Sequence, residues 1–186
     1  LQKKSLKDSF SSVKASGQLP HGVPGELLFA RTCTEIDAFV RTVAPYLEKG
    51  PFEPLSVDLN LEGFRLMGRI GNIYPGGLIL YRYANVRTQD RLTLWIHLHI
   101  LNLMGAKGYP SQGVLICKDK ACTYLPAEES EKILKDFLKI YWQGLIKPLH
   151  FFPRSSWAYA EAMEKNGDQE KAMAVYFVIL PAHSFV

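Results

Sequence analysis

No aspartate or glutamate occurs from Gly63 through Gln89. A stretch so empty of carboxylate is poorly suited to holding a divalent cation, because Mg²⁺ and Ca²⁺ sites are built largely from carboxylate and carbonyl oxygens. Cysteine is scarce as well. Cys33, Cys117 and Cys122 are the whole complement, an odd and sparse set that argues against a disulfide framework and suits reduced thiols. Cys117 and Cys122 flank Lys118-Asp119-Lys120, with no second Cys or His pair near them at zinc-ligand spacing, so they read as small strand residues facing each other or the core. No apolar run reaches the roughly 20 residues that a bilayer-spanning helix needs, and no hydrophobic signal segment follows Leu1-Gln2-Lys3-Lys4-Ser5-Leu6. The chain therefore reads as soluble and cytoplasmic, with no membrane contact. An initiating Met is missing too, so Leu1 reads as the start of a piece of a longer chain.

What remains is ample material for a core. With 186 residues and 47% hydrophobic content, the expectation is one domain over residues 1–186, a mixed α/β fold with peripheral helices. The net charge of +4 is compatible with a nucleic-acid surface without demanding one.

Hydrophobic period supplies the elements. Leu6, Phe10 and Val13 fit a short helix ending at Gly17, and Gly17 through Gly25 reads as an ordered loop. Thr34 and Asp37 offer a capping arrangement for a second helix carrying Ile36, Val40, Val43 and Leu47, kinked or ended near Pro45. From Leu55 the period becomes two. Val57, Leu59 and Leu61 alternate with polar residues, Glu62-Gly63 turns the chain, and Phe64, Leu66, Gly68 and Ile70 return. After Tyr74-Pro75-Gly76-Gly77, Leu78 to Tyr83 is apolar enough for a central strand, so three strands are expected as an antiparallel meander. Thr88 to Met104 predicts a largely buried helix, and Gly113–Cys117 with Ala121–Leu125 a second hairpin. A helix after Pro126 has Glu128, Glu129 and Glu131 near its positive end, with Ile133, Phe137, Ile140 and Tyr141 expected inward, and closes at Lys147-Pro148. Ser155 or Ser156 would cap a further helix through Ala162, and a last segment runs from Asp168 to Leu180. The central sheet is thus expected to be mostly antiparallel, with flanking helices.

Four stretches resemble one known family in order and spacing. They are Gly17-x-Leu19-Pro20-x-Gly22-x-x-Gly25; Gly68-Arg69-Ile70 before Tyr74-Pro75-Gly76-Gly77-Leu78; Tyr81-Arg82 before Leu94-Trp95-Ile96-His97; and Lys147-Pro148-Leu149-x-Phe151-Phe152-Pro153 before Ser156-Trp157-Ala158. Together they resemble the carboxy-terminal domain of RecC, the gamma subunit of the RecBCD helicase-nuclease, exodeoxyribonuclease V. The resemblance runs over roughly Gly17 to Ala162, and Ala174 to Val186 departs from it. It implies a degenerate PD-(D/E)xK nuclease-like fold, RecB-like and RecD-like partner subunits, and contact with double-stranded DNA ends through the complex.

In an active enzyme of that fold one strand supplies an Asp and the next an acidic residue, any residue, then Lys. The carboxylates hold Mg²⁺ and the Lys helps orient the attacking water. Laid on that pattern, Gly71 stands where the first Asp would be, and Leu80 and Arg82 where the second carboxylate and Lys would be. The expectation is a domain with no catalytic residue, no metal and no cofactor. Two other functions stay open: an active nuclease with migrated carboxylates such as Asp58, Glu62 or Asp90, and an autonomous DNA-binding module.

Arg65, Arg69 and Arg87 are candidate phosphate contacts, against the plainer reading of solvated charge. Arg82, in an apolar strand, reads as structural. His97 and His99 lie two apart and point to different helix faces, so they read as structural rather than as a pair. His150, Ser155 and Ser156 lack a nucleophile-elbow pattern. Phe151, Phe152, Trp157 and Tyr159 are candidate interface residues, with core packing ranked above that role and base stacking below it.

Overall fold

The computed structural model describes residues 6–105, 108–126, 129–149 and 152–166, and the chain divides into two units, Leu1–Glu48 and Lys49–Val186. The first unit is helical. α1 (Leu6–Ala15) follows the expected spacing, and its Phe10 meets Phe29 of α2 with ring centroids 5.1 Å apart.

α2 spans Val23–Leu47 and corrects two expectations. Thr34 does not cap it: the residue lies mid-helix, and its hydroxyl donates to the Ala30 carbonyl at 3.1 Å. The start falls inside the stretch read as loop. Pro24 suits a first turn because the N–H it lacks would have no intrahelical acceptor there. Gly25 is buried in that turn, where a Cβ would collide with the carbonyl oxygen of Pro20. The helix ends at Leu47, just past Pro45.

In the second unit, Glu62 and Gly63 adopt left-handed backbone, φ 51° and 81°, which is what a two-residue hairpin turn requires. They join β1 (Leu55–Leu61) to β2 (Phe64–Ile70) in antiparallel register from Leu55↔Ile70 to Leu61↔Phe64. The expected meander stops there. Asn72 is itself left-handed, φ 57°, and its carbonyl accepts the Ile79 N–H at 2.9 Å. The chain thereby leaves the first hairpin, and β3 (Ile73–Tyr74) occupies the edge of β4 (Gly77–Arg82) that β2 was expected to fill.

The larger sheet has the order β3-β4-β5-β6, with β5 (Gly113–Cys117) parallel to β4 and β6 (Ala121–Tyr124) antiparallel to β5. The fold is mixed α/β as expected, and two of this sheet's three pairings are antiparallel, but its central pairing, β4 with β5, is parallel. A parallel pair needs a crossover, and α3 (Thr88–Met104) supplies it. β5 is buried along its whole length, the pattern of a parallel strand covered on both faces.

α3 serves two apolar clusters. Leu94, Leu98 and Leu101 pack with Val57, Ile70, Ile73, Leu78, Leu115 and Cys117, while Ile96, Ile100 and Leu103 pack against Leu61, Leu134 and Leu138. The last two belong to α4 (Ser130–Ile146). Here the inward face differs from expectation: Leu134 and Leu138 are buried, whereas Ile140 and Tyr141 are exposed. Apolar residues occur on several faces of α4, so period alone could not select the seam. α5 spans Pro153–Asn166 and places Ser155 and Ser156 in its first turn rather than at a cap, with the Ser156 N–H donating to the Phe152 carbonyl.

Cys117 lies in the core, and Cys122 opposes Leu115 rather than Cys117; all three thiols are free. Among the described residues, no helix is long and apolar enough to cross a membrane. His150, Phe151 and the segment from Asp168 to Leu180 lie outside the described residues.

Candidate functional site

Gly71 and Leu80 share one small pocket. The connection after β2 carries Gly71 and Asn72, β4 brings Leu78, Ile79 and Leu80, and α3 brings Leu94 and His97, around a volume of about 100 Å³. The lining holds no carboxylate. Its titratable member is His97, an exposed residue whose pKa is lowered below the ordinary 6.5 by partial desolvation against the neighbouring elements. His99 faces elsewhere, as its spacing requires. It is fully buried, with Nδ1 3.0 Å from the Ser130 hydroxyl at the start of α4 and its ring edge-on to Trp95 at 4.3 Å. Burial lowers its pKa too.

Arg82 does not line that pocket. Its guanidinium forms an ion pair with Asp90 and donates to the Asn85 carbonyl at 2.8 Å, so it ties the end of β4 to the first turn of α3. Asp90 also accepts the backbone N–H of Arg87 at 3.0 Å, capping the helix. The turn between β5 and β6 braces the same connection: the Lys118 N–H donates to Ala84 and Asp119 accepts from the Val86 N–H. This corner is structural.

The other two candidate carboxylates are engaged separately. Asp58 takes both ends of the Arg65 guanidinium at 2.8 Å across the β1–β2 hairpin, and that contact lowers the Asp58 pKa. Glu62 sits in the hairpin turn, 3.7 Å from Lys135. Asp58, Glu62 and Asp90 are not gathered into one site, and among the described residues no three His, Cys, Asp or Glu side chains are grouped to hold a metal ion.

Of the candidate phosphate contacts, Arg65 is thus held by Asp58. Arg69 lies on the same outward face of β2 as Arg65 and the exposed Met67, opposite Ser56. Arg87 is exposed at the head of α3.

Trp157 leads to a second and larger cavity, of about 350 Å³, lined by Arg91, Leu92, Trp95, Tyr124, Phe137 and Trp157. Four elements converge on it: α3, β6, α4 and α5. The Arg91 guanidinium lies 4.6 Å from the Trp157 ring centroid and reaches the Tyr124 hydroxyl at 3.4 Å, and Trp95 meets Phe137 at 5.2 Å. Tyr159 is partly buried, Phe152 is exposed, and neither lines the cavity. Arg91 is not among the arginines singled out by the strand pattern. Its position four residues after Arg87 on one helical face was the available signal.

A family model described as the RecC C-terminal domain matches residues 1–164. The RecBCD enzyme subunit RecC of Buchnera aphidicola subsp. Schizaphis graminum is 24% identical over 170 residues, covering 90% of this chain and 16% of the relative. The subunit of the same name from Escherichia coli K12 is 24% identical over 152 residues, covering 81% of this chain and 13% of the relative. The chain therefore spans about one sixth or less of the length of these curated relatives.

Proposed function

The chain belongs to the RecC C-terminal domain family, and from that premise we propose that it is a non-catalytic, nuclease-like scaffold domain of a RecC-type subunit. The observation that carries this reading is the pocket at Gly71 and Leu80, the positions laid on the nuclease carboxylates, whose lining offers no oxygen anion to a metal. The position laid on the nuclease Lys supports it as well, since Arg82 is committed to Asp90 and Asn85. Asp58 and Glu62 are each held beside a basic side chain of the fold, and neither lines the pocket.

In this reading the parent subunit assembles with RecB-like and RecD-like subunits as a cytoplasmic exodeoxyribonuclease V. The complex processes duplex ends in double-strand-break repair, and this domain contributes shape and contact surface rather than bond cleavage. The exposed apolar residues of α4, among them Tyr141, Trp142, Leu145 and Ile146, are suited to burial in such an assembly.

The test is co-purification. A parent subunit deleted for this domain should lose full assembly and normal end processing, and retention of both would sink the scaffold role. Incubating the chain with Mg²⁺ or Mn²⁺ and linear DNA separates this reading from an active nuclease. Cleavage abolished by Asp58→Ala would overturn it.

A further inference from the structure

The larger cavity, between α3, β6, α4 and α5, is not needed for a scaffold. It is open, mostly aromatic in its walls, and within the range of roughly 300–1,000 Å³ typical of ligand sites. Trp95, Phe137 and Trp157 supply flat apolar faces. Tyr124 accepts from Arg91 and keeps its own O–H to donate.

Two further arginines lie near lining residues along the same helices. Arg87 stands one turn before Arg91 on α3, and Arg154 stands three residues before Trp157 on α5; both are exposed. The nearby acids are partly accounted for. Asp90 is neutralised by Arg82, and Glu161 on α5 is the carboxylate whose field reaches Arg91. A flat apolar slot with a phenol donor and the Arg91 guanidinium in its lining, and with exposed arginines one turn away along α3 and α5, matches a planar heterocycle attached to a phosphodiester chain.

We propose that this cavity accepts one unstacked base of single-stranded DNA, with the flanking phosphates held by Arg87, Arg91 and Arg154. The Trp157 ring, already covered on one side by Arg91, stacks the base, and the Tyr124 hydroxyl donates to a ring nitrogen or carbonyl. The inference rests on the reading of the parent as a handler of DNA ends, and goes beyond it by naming a ligand and a site on this domain.

The experiment uses the 186-residue chain, with fluorescein-labelled oligothymidylate and an equally long abasic strand as probes, read by anisotropy. Oligothymidylate should bind about tenfold more tightly than the abasic strand, because stacking on an aromatic ring discriminates by that order. Trp157→Leu should erase the difference. Leu92→Trp, which replaces a smaller apolar lining side chain with one that fills the cavity, should erase it too, and it covers the case in which the first variant fails to fold. Arg154→Gln should weaken both strands and flatten the salt dependence. Equal binding of the two probes, binding of neither, or a Leu92→Trp variant that binds as wild type would each overturn the proposal. If Leu92→Trp instead blocks co-purification with the other subunits and leaves oligothymidylate binding intact, the occupant is a protein side chain and the proposal fails. The scaffold reading stands or falls separately, on assembly of the deleted parent.

Discussion

Asp90 concentrates several roles in one carboxylate, since it neutralises the partly buried Arg82 and caps α3 through the Arg87 N–H. Asp90→Ala removes both, leaving Arg82 desolvated without its counter-charge, and should cost about 2 kcal/mol in a urea melt. His99 gives a pH signature. Burial lowers its folded-state pKa below 6.5, so the unfolded chain takes up a proton at a higher pH than the folded one. Stability is then fully present above about pH 6.5 and is lost as pH falls below it. His99→Gln should flatten that acid-side slope in melts below about pH 6.5, and His97→Gln, which removes a group whose pKa is lowered in the same direction, should flatten it further when combined with the first. Residue chemistry of this kind was only partly legible: the spacing of His97 and His99 gave their divergence, and Arg82 in an apolar strand gave a structural arginine. The partners were not, because Asp90 and Asn85 are recruited by the path of a loop.

Elements were legible wherever period and punctuation agreed. The β1–β2 hairpin, α3 and the β5–β6 hairpin stand where alternation, Glu62-Gly63 and the Lys118-Asp119-Lys120 turn place them. Pairing was harder to read, because β4 meets β5 across the length of α3 and no local signal records that contact. α4 shows the limit from another side: its apolar residues exceed what one face can bury, so the seam was set by what α3 and β1 present to it. Two substitutions expose the consequence. Leu138→Ala should destabilise by roughly 2–5 kcal/mol in chemical denaturation, since a packed methyl cluster is lost. Tyr141→Ser, on a side chain 59% exposed, should change the stability of the chain by at most about 0.5 kcal/mol. If α4 docks in the assembly, the same Tyr141→Ser variant should co-purify poorly with the remaining subunits.

At the scale of the molecule, every residue of the two apolar clusters described for Lys49–Val186 comes from that unit itself. A fragment spanning residues 49–186 is expected to unfold cooperatively, with a near-ultraviolet circular dichroism signal from its buried aromatics, and a non-cooperative melt would sink that expectation. The candidate site belongs to this scale as well. The larger cavity draws on elements far apart in sequence, so Arg91 and Trp157 become neighbours only once the unit has folded, whereas Gly71 and Leu80 are brought together locally by the β3–β4 hairpin. The parallel pairing of β4 with β5 also has a consequence for synthesis. A ribosome delivers β4, with Leu78 and Ile79 destined for complete burial, before α3 and well before β5 exists to cover its edge. During that interval the nascent strand offers an open, sticky margin to any neighbour. The pace of translation through α3, and chaperone capture of the emerging chain, should therefore govern how much of the protein reaches its folded state.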